Sequence, residues 1–324
     1  MKSIYDKIAM IHPKIEVTLR QLYWKSDTLI KIYRGKKKNS SKITSNNKVS
    51  KNDVFAVMDS FISSGDLIIV HSGYSEIKNN CSDLKDPKEI IDGLLEIIGE
   101  TGTIALPTHP EYVQIKVSKN TVLEETSNEI LQFDPIKTKA WTGVLPNVFL
   151  GYDGVIRSKH PINTMAAKGP LAETMMKDNI QGDRPLPCGK TSSWMFCKEN
   201  NAKIIGLGVD LVHSLTMIHV AEDAYHEEWP INDWYRDRDF LIVDGNDKLP
   251  IKVRERKTKW GTLFFAERNL RKDLIKDGIL QVSNIGGIRF EYIHDSNALI
   301  EFLRSRNNGG YPYYISRKFE KPTK

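Results

Sequence analysis

Two short stretches place ionisable side chains where an open α/β sheet binds its ligands. Val70-His71-Ser72-Gly73 follows a β-branched apolar run entered through Ser64-Gly65-Asp66, so His71 and Ser72 fall at the C-terminal end of a buried strand. Farther on, Gly206-Leu207-Gly208-Val209-Asp210 closes a second apolar run. Helical spacing from Ser214 onward then sets His219 and Glu222, three residues apart, on one helix face. A histidine held by a carboxylate takes up and releases a proton near neutral pH, which equips it for general acid–base work. His160 stands before Pro161, which forces it out of any helix and onto a loop. Pro187-Cys188-Gly189 sets a thiol in a turn, and beside His160 or His219 that thiol would serve a cysteine-dependent acyl transfer or hydrolysis. No nucleophile elbow or cysteine-protease signature surrounds it.

Each candidate also has a plain structural reading. His and Glu three apart on a helix are often only a local pair worth about 0.2–0.5 kcal/mol. His160 can be a histidine beside a turn proline, Asp210 a strand-end cap, and the polar loop Lys190-Thr191-Ser192-Ser193 the cap of the apolar helix after it.

The elements that would position these groups alternate. Strand 67–70, helix 87–98 and strand 103–106 form a βαβ unit; a helix over 143–149, a strand over 202–208 and a helix over 216–225 follow. Asp244-Gly245-Asn246-Asp247 between alternating apolar runs predicts a hairpin of strands 239–243 and 249–253, and a strand over 286–292 and a helix over 295–304 end the pattern. The first 49 residues stand apart as a helical extension and a Lys/Asn/Ser-rich linker. Residues 50–324 form the main domain, entered through the capping box Ser50-Lys51-Asn52-Asp53. In the extension Ile8, Ile11, Ile15, Leu19 and Leu22 recur at helical intervals. That face must bury somewhere, and a partner subunit is its expected cover, giving a homodimer.

At 324 residues with 40% hydrophobic residues, the chain has the length and apolar content of a globular enzyme. Three cysteines, Cys81, Cys188 and Cys197, lack metal-ligand spacing and make no even disulfide set, which suits a reducing cytoplasm and gives no metal site. Neither a signal peptide nor an 18-residue apolar span is visible, so a soluble cytoplasmic protein is expected. The net charge of +6 sits largely in Arg34-Gly35-Lys36-Lys37-Lys38 and in Arg254-Glu255-Arg256-Lys257-Thr258-Lys259. Both read as solvated faces, and no nucleic-acid partner is expected.

Taken in order, residues 66–72, 99–108, Gly143-Val144-Leu145-Pro146, Arg157-Ser158-Lys159-His160-Pro161, Gly189-Lys190-Thr191-Ser192-Ser193, residues 206–210 and residues 219–222 resemble the aminoglycoside 3-N-acetyltransferase family over roughly residues 50–305. The resemblance implies a mixed, largely parallel α/β sheet flanked by helices, unlike the GNAT acetyltransferases, with a β-rich C-terminal portion. It implies acetyl-CoA as donor and direct acetyl transfer to an amine of an amino sugar. His160, His219, Glu222 and Asp210 become the catalytic candidates, and His71, Ser72, Gly73, Lys190, Thr191, Ser192 and Ser193 the coenzyme contacts. Two departures stand out: Gly73 occupies the place of a usual second hydroxyl residue, and Ser193 that of a common proline.

The chemistry fits these residue types. An alkylammonium must lose a proton before it attacks, which a carboxylate-held histidine can accept, and the oxyanion that forms needs hydrogen-bond donors. For the acceptor, the acidic series Glu222, Asp223, Glu227, Glu228, Asp233, Asp237 and Asp239 suits a cationic aminoglycoside. The basic chain instead suits a nucleotide- or lipid-linked amino sugar of surface polysaccharide assembly.

Overall fold

The computed structural model of the chain describes residues 4–26, 48–112, 129–316 and 319–321. Two helices stand ahead of the body, α1 (Ile4–Ala9) and α2 (Pro13–Lys25). The body opens with α3 (Lys51–Asp59), where the Ser50 hydroxyl accepts from Asp53 N and the Asp53 carboxylate accepts from Ser50 N, as the capping box requires. Next come β1 (Leu67–Ser72), α4 (Tyr74–Asn80), α5 (Lys88–Ile98), β2 (Thr103–Pro107), β3 (Leu131–Phe133), α6 (Val144–Phe149), β4 (Ile156–Arg157), β5 (Met165–Lys168), α7 (Ala172–Met176), α8 (Ser193–Glu199) and β6 (Lys203–Leu207). The C-terminal part holds α9 (Leu211–Ser214), a 3₁₀ turn (Thr216–His219), α10 (Val220–Asp223), β7 (Tyr235–Asp244), β8 (Asp247–Arg256), α11 (Thr258–Phe264), α12 (Glu267–Lys276), β9 (Leu280–Ile285), β10 (Ile288–Ile293) and α13 (Ser296–Ser305).

The mixed sheet has seven strands in the order β4-β5-β2-β1-β6-β10-β9. Its parallel strands, β2, β1 and β6, lie at the centre, with antiparallel strands extending it on either side. Both faces of β1 are covered: Ile68 and Val70 join one core with Leu94, Leu106 and Leu207, while Leu67 and Ile69 join the other with Trp194, Ile204 and Leu299. A strand buried on both sides must be apolar throughout, which is why this run reads without alternation. From β1 the chain crosses to β2 on one side and later returns to β6 on the other. The two connections diverge at the C-terminal end of β1 and leave a crevice there. The expected hairpin is present but longer, β7 pairing with β8 around Gly245 in the left-handed region at φ +62°, and it forms a second sheet with β3.

The extension departs from expectation. It docks on α11 and α12 of its own body through a buried face of Ala9, Glu16 and Val17. Glu16 is fully buried and accepts from Arg268 N at 2.8 Å, Asn269 N at 3.1 Å and Asn269 Nδ2 at 2.7 Å. The first turn of α12 has no capping side chain of its own, so a carboxylate from α2 satisfies its free N–H groups and favours the positive end of its dipole. Ile8, Ile11 and Leu22 stay exposed. Ile15 and Leu19 are half-buried, so the chain's own body leaves most of the expected apolar face open, and its cover by a partner subunit stands as a proposal. The rest of the expected helical segment, the basic run from Arg34 to Lys38 and most of the linker lie outside the described residues.

Candidate active site

At the C-terminal end of β1 opens a cleft of about 590 Å³. Its floor is Val70, His71 and Ser72, one wall carries His109 and Trp141 from the segments after β2, and the opposite wall carries His219, Glu222 and Asp223. Gly73 and Gly208 let the ends of β1 and β6 approach: a Cβ added at Gly73 would lie 1.9 Å from Gly208 O, so no other residue fits without moving the floor.

His219 and Glu222 meet as their spacing predicts, with the two residues straddling the junction between the 3₁₀ turn and α10. His219 Nδ1 lies 3.1 Å from Glu222 Oε1, and its Nε2 has no partner among the described residues, leaving that nitrogen for the cleft. The same Glu222 Oε1 accepts from the Tyr313 hydroxyl at 2.6 Å, and Arg256 Nη1 donates to that hydroxyl in turn. Tyr313 is locked by aromatic neighbours, Trp234 at 4.9 Å and Phe265 at 5.3 Å between ring centroids. Burial opposes ionisation of Glu222, but the facing His219 and Arg256 and two hydrogen bonds outweigh it and hold the carboxyl below its ordinary range. Burial, then Arg256, lowers the His219 pKa, with Glu222 pulling the other way, so the imidazole is neutral at pH 7. The result is a neutral histidine oriented by an ionised carboxylate, which is itself fixed by the buried Tyr313 and the half-buried Arg256 behind it.

Other cleft groups add to this. Burial holds the His71 pKa down to about 4, and its Nε2 is buried without a partner among the described residues. His109 is held to about 3 by burial and then by the neighbouring His71 and His219. Its Nε2 sits 3.5 Å from Thr216 Oγ1, and Trp141 leans against its ring at 5.7 Å. Asp223 is raised to about 7 by burial and by Glu222, and its Oδ2 accepts from Cys188 N at 3.1 Å.

Several expected site residues are elsewhere. His160 is buried but lies outside the cleft lining: its Nε2 faces Pro185 O at 3.2 Å and its Nδ1 faces Ile162 N at 3.1 Å. Nδ1 also lies 3.0 Å from Ile162 O; with its proton on Nε2 the ring donates to Pro185 O and accepts from Ile162 N, burial lowers its pKa to about 4, and here it ties two loops together. Asp210 pairs with Arg271 and Arg289, each at 3.0 Å, in a network around the fully buried Glu291. Ser192 caps α8 by accepting from Met195 N; Lys190 and Thr191 point to solvent, Ser193 is buried, and none of the four lines the cleft. Cys188 is fully buried, and burial with Asp223 pushes its thiol well above the ordinary range, the opposite of an activated nucleophile. Of the acidic series only Glu222 and Asp223 reach the cleft. Glu228, Asp233 and Asp237 pair with Arg304, Lys257 and Arg184. His109, Arg256 and Tyr313 were missed. His109 was open to the logic applied to His71, since it follows a core strand by two residues; Arg256 lies in the basic run read as a solvated face, which instead sends it into the cleft, and nothing local marks Tyr313.

Among the described residues no group of His, Cys, Asp or Glu is arranged to hold a metal ion, and no helix is long and apolar enough to cross a membrane.

Comparison with known proteins agrees with this architecture. The chain is 26% identical over 167 residues to aminoglycoside N(3)-acetyltransferase VIII of Streptomyces fradiae, covering 50% of this chain and 56% of that protein. To aminoglycoside N(3)-acetyltransferase IX of Micromonospora chalcea it is 26% identical over 164 residues, covering 49% and 56%. The matched stretches thus span little more than half the length of these curated relatives. Among solved structures, aminoglycoside acetyltransferase AAC(3)-Xa superposes with a TM-score of 0.66 at 18% identity, covering 85% of this chain and 98% of that one. AAC-IIIb as its binary complex with CoASH gives 0.66 at 21%, covering 82% and 99%. The pattern of one family matches residues 69–305, the segment that carries both the central sheet and the His219–Glu222 pair, and the chain belongs to the aminoglycoside 3-N-acetyltransferase family.

Proposed function

We propose that the cleft acetylates an amine of a cationic amino sugar with acetyl-CoA as donor, by direct transfer, with His219 as the general base. One observation carries the mechanism: Glu222 occupies His219 Nδ1 at 3.1 Å while Nε2 is left to the cleft. With its proton on Nδ1, the imidazole presents a lone pair at Nε2, which removes the proton of the attacking amine; the ionised Glu222 stabilises the imidazolium that results. Acetyl-CoA supplies an acyl carbon activated as a thioester. The floor has groups suited to such a donor: His71 Nε2 is buried and unsatisfied among the described residues, and a neutral imidazole can offer an N–H to a carbonyl oxygen. Ser72 and the close-packed backbone at Gly73 line the same end of β1.

Charge favours a cationic acceptor. The cleft lining holds the carboxylates Glu222, Glu255 and Glu267, with Asp223 raised to about 7, against the guanidinium groups of Arg20 and Arg256. An acceptor carried on a nucleotide or lipid phosphate would meet these carboxylates. Structural relatives have been solved with sisomicin and with a gentamicin bound, which agrees with this charge. A covalent route through Cys188 lacks an accessible thiolate.

The test is release of coenzyme A thiol from acetyl-CoA with sisomicin as acceptor. His219→Ala should lower kcat by roughly 10²–10⁴-fold, the range of general acid–base catalysis, while coenzyme A affinity changes little. Wild-type protein that releases no thiol with a panel of amino sugars overturns the reading.

A further inference from the structure

The family pattern begins at residue 69, yet the cleft is lined in part by α2, some 45 residues upstream, through Arg20 and Trp24. This helix is firmly built into the body. Glu16 caps α12, and Arg20 Nε and Nη1 donate to Thr262 O and Phe265 O, both at 2.9 Å. Arg20 Nη2 also lies 3.5 Å from Glu267, so its guanidinium is turned onto the protein and not toward a ligand phosphate. What α2 offers the cleft beyond this anchor is the half-buried indole of Trp24. Glu267, which also lines the cleft beside Arg20, stays ionised: burial opposes this, but His213 and then Arg20 hold its pKa near 2.

An indole and a carboxylate lining one cleft favour cations. Tryptophan has the strongest aromatic attraction for an ammonium, and the carboxylate adds a charge-assisted partner while repelling anions. A cleft of about 590 Å³ has the size of a site for a multi-ring small molecule. We propose that α2 is a specificity element, in which Trp24 with Glu267 holds a second ammonium group of a polyamine amino sugar while His219 serves the reacting amine. The assignment rests on the acetyltransferase reading above and adds to it a determinant from outside the family's matched segment.

Calorimetry on the full chain tests it, with sisomicin and coenzyme A titrated separately. Trp24→Ala should weaken sisomicin binding by roughly 10-fold, equivalent to about 1.4 kcal/mol and within the cation–π range. Trp24→Phe, which keeps a ring, should lose only about 2–3-fold and carries the test should the alanine variant fold poorly. The Kd for coenzyme A should stay within about twofold in both. In turnover the same loss should appear in the acceptor KM and not in kcat. Unchanged sisomicin affinity in the variants, no sisomicin binding by the wild type, or a loss that falls on coenzyme A instead overturns the assignment. Failure of the acetyltransferase reading looks different, because wild-type protein would then bind sisomicin with the expected Trp24 dependence yet release no thiol from acetyl-CoA.

Discussion

Replacing Glu222 by glutamine keeps the shape of the side chain and removes its charge. The carboxylate is 2% exposed and lies 3.1 Å from His219 Nδ1. At an effective dielectric of 20, two unit charges at that distance attract by about 5 kcal/mol, an upper limit on what Glu222 gives to a protonated His219. Roughly half to three-quarters of that, about 2.7–4 kcal/mol, corresponds to a 10²–10³-fold loss in kcat/KM. The pH profile adds a sign. Burial and Arg256 lower the His219 pKa below 6.5, and Glu222 opposes them. The wild-type acid limb therefore lies below pH 6.5, with a plateau above it. In Glu222→Gln the opposing group is gone, so the limb should move to lower pH while the plateau drops. Removing the charge of the buried Glu222 also leaves Arg256 less compensated, and a loss of stability should appear in denaturant unfolding. Rates come from thiol release between pH 5 and 9 on variant shown to be folded by circular dichroism. Turnover within fivefold of wild type, or an acid limb that stays in place or moves upward, would refute the role given to Glu222.

Three further outcomes follow from the same geometry. Tyr313→Phe removes the hydroxyl that donates to Glu222 at 2.6 Å; a hydrogen bond to a charged group is worth about 1.5–3 kcal/mol, so kcat should fall at least tenfold while the coenzyme A Kd, read by calorimetry, holds. His71 and His160 both titrate near 4 in the folded state against 6.5 unfolded, so the unfolded chain binds more protons as pH drops, and each should cost about 2 kcal/mol of stability between pH 7 and pH 5, seen as a falling urea midpoint. Cys188→Ala should retain most turnover, and mass spectrometry after incubation with acetyl-CoA alone should find no acetyl group on Cys188 in wild type; an acetylated Cys188 would restore the covalent route.

Legibility in the sequence followed the range of the interaction that decides each residue's role. The end of β1 and the His219–Glu222 pair were readable because strand burial and i,i+3 spacing are local facts. His160 became a candidate through the family motif; its proline says only that it leaves the helix, and not whether the imidazole turns outward to the cleft or inward to Pro185 O, where it lies. Asp210 failed for a related reason, since the arginines that claim it, Arg271 and Arg289, come from α12 and β10, distant in sequence. The N-terminal helices show the same limit in packing. Apolar periodicity marks Ile8, Ile11 and Leu22, which stay exposed, and is silent on the polar anchors of α2: Glu16, which caps another helix 252 residues away, and Arg20, which donates to Thr262 O and Phe265 O. The site itself obeys this rule most clearly. His219 finds its carboxylate three residues on, but that carboxylate finds its hydroxyl 91 residues on, in a tail segment beyond the family's matched range, so the proposed base is written in one motif and its orientation in the tertiary fold.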